Sequence, residues 1–129
     1  PRRDMMWLAL AGPLSNVILA FVSGFLLFNI SATSEMMVML KQMLAISIRI
    51  NLILCFFNLL PVPPLDGSKI LTGLLPQEQA YQYSKLEQYG PGLLIGVIVL
   101  DRFTQLGLLR TWIFPPMAFF QSLIFSLFS

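Results

Sequence analysis

Residues 57–67 read F-N-L-L-P-V-P-P-L-D-G, and this stretch decides how the chain folds. It closes a long apolar run and breaks it with Pro61, Pro63 and Pro64. Each proline lacks a backbone donor and clashes with the helical turn before it. The residue ahead of each is pushed toward extended geometry. A helix must therefore stop near Leu60, and an extended segment must carry the chain to Asp66. At membrane depth the freed carbonyls of such a break need protein or water as partners, since lipid offers none. Irregular backbone beside a carboxylate in a membrane is where chemistry is expected. A plainer role is open to Asp66 as well, as the N-cap of a helix over residues 67–75.

Composition sets the surroundings of this break. Of 129 residues, 57% are hydrophobic and only 11% charged, and the mean hydropathy is +0.78. A soluble domain carries about 25% charged residues. The expectation is an all-α, polytopic transmembrane helix bundle with one helix broken at residues 61–66. The net charge of +2 does not imply nucleic acid as a partner, because the eight basic residues are scattered and only Arg2 and Arg3 are adjacent. They serve better to set orientation in the bilayer. Cys55 is the single cysteine and there is no histidine, so a disulfide or a cysteine-based metal cluster within the chain is excluded. The sequence starts at Pro1 without a signal-peptide pattern, as expected of a piece of a longer protein.

Upstream of the break, residues 7–30 are almost free of charge and would span about 36 Å as a helix, enough to cross with tilt. Gly12, Asn16, Ala20 and Gly24 recur every fourth residue along it. Small residues at that spacing let helix backbones approach closely in lipid, and packing accounts for the glycines and the alanine. Asn16 needs a polar partner in hydrocarbon. A short polar loop over residues 31–35 leads to a second apolar run, 38–60. Ser47, Asn51, Cys55 and Asn58 share one face of this run, which should point into the bundle. Hydrogen bonds between helices account for Ser47, and the same account is open to Asn51. Arg49 lies on the opposite face and either pairs with Asp101 or marks a later start of the membrane.

Downstream, residues 67–75 are too short to span and read as a half-helix. Residues 76–88 are the most polar part of the chain and belong in water or at the interface, where Tyr81, Tyr83 and Tyr89 fit an aromatic belt. Further spans are expected over about 91–109 and 113–128, with a boundary near Trp112, Pro115 and Pro116, all within one transmembrane domain, 1–129. Arg2 and Arg3 favour a cytoplasmic start. The break then falls toward the cytoplasmic half.

Two motifs now connect. Asn58, Pro61, Pro64, Asp66 and Gly67 fit N-x-x-P-x-x-P-x-D-G, and Gly12, Pro13 and Asn16 fit G-P-x-x-N. In this order and spacing they resemble the site-2 protease family of intramembrane zinc metalloproteases. The likeness covers most of the chain and becomes general after Gly90. It implies that Asp66 is the third zinc ligand, after the two histidines of an H-E-x-x-H helix. It implies that Asn58 is catalytic and steadies the substrate carbonyl or tetrahedral intermediate, which an amide does by donating to oxyanion charge. Asn16 would be structural, beside the catalytic helices. Zinc in this family activates a water whose proton the Glu of H-E-x-x-H takes. The reaction is hydrolysis of peptide bonds within a substrate transmembrane helix, which must first unwind locally. The implied partners are the lipid bilayer, a membrane-spanning protein substrate and the missing N-terminal part of the same protein. The implied location is a prokaryotic cell membrane, with this N-terminus cytoplasmic.

One departure is large. Without histidine the chain has no H-E-x-x-H, so two ligands and the general base are missing. Catalytic zinc sites use three protein ligands. The zinc site is incomplete in this chain, which alone is expected to be inactive. Two other classes compete. One is a pseudoprotease or membrane-assembly subunit that kept the scaffold. The other is a transporter or channel piece, in which broken helices also mark binding sites, although the motif ending in Asp66-Gly67 speaks against it. The upstream sequence separates the first two: the parent reading frame is expected to encode H-E-x-x-H on an apolar helix before Pro1. A complete frame without that motif would favour the pseudoprotease.

Overall fold

The computed structural model describes residues 2–129, with side chains from Arg3 onward. Pro1 and the side chain of Arg2, half of the basic pair expected on the cytoplasmic side, lie outside the described residues. Among the described residues there are six α-helices and no strand. They are α1 (Arg2–Asn29), α2 (Glu35–Asn58), α3 (Asp66–Leu74), α4 (Gln77–Ser84), α5 (Pro91–Thr104) and α6 (Leu108–Phe128), with a 3₁₀ turn at Lys85–Tyr89 between α4 and α5. The fold is the all-α broken-helix bundle that composition and prolines imply.

Local chemistry sets most boundaries. Ser34 caps α2, its hydroxyl accepting from the Met37 amide at 3.2 Å, and Glu35 sits in the first turn, where the helix dipole favours an acid. Pro91 opens α5 at a position where its missing N–H is no loss. The boundary expected near residues 112–116 lies elsewhere. Gln105 (φ 55°) and Gly107 (φ 70°) turn the chain in the left-handed region. The Asp101 carboxylate then accepts from the amides of Leu108 at 2.6 Å and Leu109 at 3.4 Å. Asp101 thus caps α6 rather than waiting for Arg49, which is exposed. Pro115 and Pro116 stay inside α6, a position prolines are allowed in apolar membrane helices.

Among the described residues three helices are long and apolar enough to cross a membrane: Arg3–Asn29, Glu35–Asn58 and Leu108–Phe128. At about 21 Å, α5 is shorter than the hydrocarbon core of roughly 30 Å. The three long helices share one core of Ala20, Ile48, Leu52, Met117 and Ile124, with Phe21, Phe56, Phe120 and Phe128 packed around it. Edge-on ring pairs, Phe25 with Phe128 and Phe28 with Phe125, seal the far end of α1 against α6. The outer surface is apolar too: Leu8, Met36 and Met39 are 74%, 75% and 62% exposed. Such a surface suits lipid and not water. Together with three helices long and apolar enough to cross a bilayer, this surface is that of a chain built for a membrane.

The small-residue stripe of α1 has distinct neighbours. Ala20 is fully buried in the core. A methyl group on Gly24 would lie 2.3 Å from Cγ2 of Ile124, so α6 comes as close as a glycine allows. Gly24→Ala is expected to destabilise the bundle by about 1–3 kcal/mol through overpacking. Gly96→Ala in α5, where nothing lies within 4 Å, is expected to be neutral or to gain up to about 1 kcal/mol of helix propensity. Unfolding of both variants in mixed micelles checks the opposite signs.

Candidate active site

The end of α2 positions everything here. The Leu59 amide still reaches the Cys55 carbonyl at 3.1 Å, but the Leu60 amide has already slipped to Phe57, also at 3.1 Å. Beyond that the chain closes on itself in short turns, Val62 to Leu60 at 2.8 Å and Leu65 to Val62 at 2.9 Å. The Pro63–Pro64 peptide is cis. The chain then doubles back beneath its own helix end. A Cβ on Gly67 would meet the carbonyl oxygens of both Leu59 and Leu60 at 2.2 Å. Only glycine fits there, and space rather than a positive φ is the reason.

This hairpin of backbone makes Asp66 the first residue of α3. The capping role open to it is not adopted. Leu65 holds the N-cap position and no side chain caps the helix. The Ser68 hydroxyl instead donates to the Leu65 carbonyl at 2.8 Å. Among the described residues the half-buried Asp66 carboxylate accepts no hydrogen bond. It faces α1, where a Cβ on Gly12 would lie 2.9 Å from Oδ2. Asp66 and Lys69 also line a cavity of about 150 Å³ with Met5, Leu8 and Ala9 of α1.

Asn58 is the last residue of α2, half-buried, with no hydrogen bond to its amide among the described residues. The rest of its face is satisfied. Ser47 shares a 3.0 Å hydrogen bond with Ser23 of α1. The Asn51 amide donates to the carbonyl and hydroxyl of Ser47, at 2.9 and 3.1 Å. Cys55 is buried and looks onto an apolar groove lined by Leu10, Leu14, Val17 and Leu59. Asn16 is half-buried one turn beyond Gly12. The expected helix-to-helix bond at Ser47 is therefore present, while Asn51 bonds within its own helix. Ser23, its partner across the bundle, carried no signal beyond being a serine in an apolar run.

Two aromatic residues reach the break from outside. The Trp112 indole donates to the Phe56 carbonyl at 3.0 Å. The Tyr83 hydroxyl donates to the Pro61 carbonyl. Tyr83 thus leaves the interfacial belt expected for it and turns inward, whereas Tyr81 and Tyr89 are 65% and 60% exposed.

Asp66 offers one hard oxygen donor suited to zinc. Among the described residues, no group of three His, Cys, Asp or Glu side chains comes together. What is present fits one corner of a zinc centre and not a whole one. Residues 28–99, more than half of the chain, match Peptidase family M50. The chain belongs to that family, the site-2 protease class of membrane zinc proteases. It is 41% identical over 95 residues to "Putative zinc metalloprotease YwhC" of Bacillus subtilis, covering 70% of this chain and 43% of that protein. It is 45% identical over 64 residues to "Putative zinc metalloprotease MJ0611" of Methanocaldococcus jannaschii, covering 50% of this chain and 31% of that protein. The chain thus spans less than half the length of either relative. No solved structure matches it.

The Gly12–Asp66 contact is testable by itself. Gly12→Ala is expected to lower stability by about 1–3 kcal/mol, because the methyl displaces the carboxylate or the helix. Combining it with Asp66→Ala, which empties the space, should recover most of that loss, as contacting residues are not additive. Unfolding of the two single variants and the double variant measures the coupling.

Proposed function

We propose that the complete protein is an intramembrane zinc metalloprotease that hydrolyses peptide bonds within substrate transmembrane helices. This chain supplies Asp66 as the third zinc ligand and Asn58 as the amide that steadies the developing oxyanion. The carboxylate of Asp66 carries this reading: it lies beside a helix break, spends nothing on capping, and faces a glycine that leaves it room. Its remaining ligands and the general base come from the missing N-terminal part of the same protein. This chain alone is inactive. Zinc, when bound, supplies Lewis acidity.

The chain's own residues do the rest. The prolines hold residues 59–65 out of helical geometry, in the short turns that bring Asp66 beneath the end of α2. A substrate helix must unwind there, because its carbonyls are occupied internally. Asn58, unused by its own bundle, has donors free for the substrate carbonyl. In an apolar surround such a donor is worth more than in water, and losing one costs roughly 10²–10³ in kcat in well-studied enzymes. The domain spans residues 1–129, with α1, α2 and α6 crossing the bilayer and the Arg2–Arg3 end in the cytoplasm. A bacterial and an archaeal relative support a prokaryotic cell membrane as its location. A non-catalytic assembly role on the same scaffold becomes the better reading if the complete protein lacks H-E-x-x-H.

Asp66→Asn discriminates. Asn has nearly the same shape and caps about as well as Asp, so folding and membrane insertion should survive. The amide oxygen is a far poorer zinc donor. The complete protein carrying Asp66→Asn is expected to express normally but to lose most of its zinc and its cleavage of a membrane substrate. Asp66→Glu should keep some metal with poor activity. Metal analysis beside a cleavage assay decides it, and full zinc with full activity in Asp66→Asn would overturn the ligand assignment.

A further inference from the structure

The break leaves several carbonyls that the main chain has abandoned, and side chains meet two of them, on Phe56 and Pro61. In a continuing helix the Phe56 oxygen would take the Leu60 amide, but that amide bonds to Phe57 at 3.1 Å. The Pro61 oxygen would take the Leu65 amide, which bonds instead to Val62 at 2.9 Å. Both orphans are taken by side chains from distant elements. Trp112, near the start of α6, donates to Phe56 at 3.0 Å. Tyr83, on α4, donates to Pro61. The two carbonyls flank Asn58, two residues before it and three after. Burial, and then the negative charge of Glu87, push the Tyr83 phenol above its ordinary value. It therefore keeps its proton, and its ability to donate, throughout the neutral range.

We propose that Tyr83 and Trp112 are positioning residues, a two-sided clamp on the backbone either side of Asn58 that holds its amide in the aim needed for peptide hydrolysis. This role rests on Asn58 acting as proposed above. Tyr83 and Trp112 touch neither metal nor substrate; they act through the carbonyls of Pro61 and Phe56. Each is held by an element that is not part of the break, so the shape of the break depends on α4 and α6 docking correctly. Apolar packing of the tyrosine ring cannot substitute for the hydroxyl, because the orphaned carbonyl would then sit unpaired in a poorly hydrated place.

The test uses the complete protein in detergent micelles with two variants. Tyr83→Phe removes one oxygen and keeps the ring. Trp112→Phe removes the indole N–H. Amide hydrogen exchange across residues 57–66 is expected to quicken about tenfold or less in either variant, while α1 and the first half of α2 stay as protected as before. Unchanged exchange in both variants would overturn the clamp, whatever the protein's activity. Cleavage is then read on a fluorescein-labelled peptide with one apolar stretch of about 20 residues. Tyr83→Phe should lose about tenfold in kcat, with KM and zinc content little changed, as expected when an interaction made only in the transition state is weakened. In an Asn58→Ala background the same change should cost almost nothing further. Faster exchange with wild-type kcat, or losses that simply add, would make the two residues structural and overturn the positioning role. A wild-type protein that neither binds zinc nor cleaves would instead defeat the protease reading, leaving exchange to decide the clamp.

Discussion

A helix that stops inside an apolar bundle leaves carbonyl groups that lipid cannot satisfy, and the structure is arranged around that debt at residues 59–65. Three prolines make the stop compulsory, and the short turns that follow satisfy only some of the oxygens. The remainder require donors, and apolar helices carry few. The chain provides two, an indole and a phenol, from α6 and α4. This explains why the polar stretch after α3 folds back as a short helix over the break. It also links the outer helices to the site without any of their residues entering it.

Close approach is the second constraint, and four glycines meet it: Gly73 lets Met6 of α1 lie against α3, and three others act elsewhere. Gly24 lets α6 reach α1, Gly67 lets α3 start directly under the end of α2, and Gly12 makes room for the Asp66 carboxylate. The first serves packing alone. The other two serve the break, one admitting backbone and one admitting an anion. A stripe that looks uniform in sequence therefore divides into parts with different work. Substituting alanine along it would test packing at one end and the carboxylate's seat at the other.

Much of this was legible because prolines and small residues act locally. Pro61, Pro63 and Pro64 end α2 wherever its neighbours lie, and the long, mostly apolar run before them admits little but helix. Asp66 could be placed at the start of α3, though not the direction of its side chain. That direction depends on α1, more than fifty residues earlier. Pro115 and Pro116 misled for the opposite reason. A proline's missing donor disfavours a helix interior, yet Pro115 and Pro116 lie inside α6, which packs against α2, and the turn falls at Gln105–Gly107, where Asp101 caps the next helix. Tyr83 looked interfacial beside Tyr81 and Tyr89, because nothing in a run of polar residues tells which tyrosine faces an orphaned carbonyl.

The orientation of Asp66 bears most directly on chemistry. An aspartate at the first position of a helix can fold back onto the free amides, and water-exposed helices often use it so. Here the Ser68 amide and hydroxyl both donate to the Leu65 carbonyl, at 3.1 and 2.8 Å, while the carboxylate lies against Gly12 of α1. Keeping the carboxylate half-buried and without a hydrogen bond is unfavourable for the chain by itself. A cation held beside it, as in the zinc site proposed above, would give that carboxylate the partner it lacks within the chain.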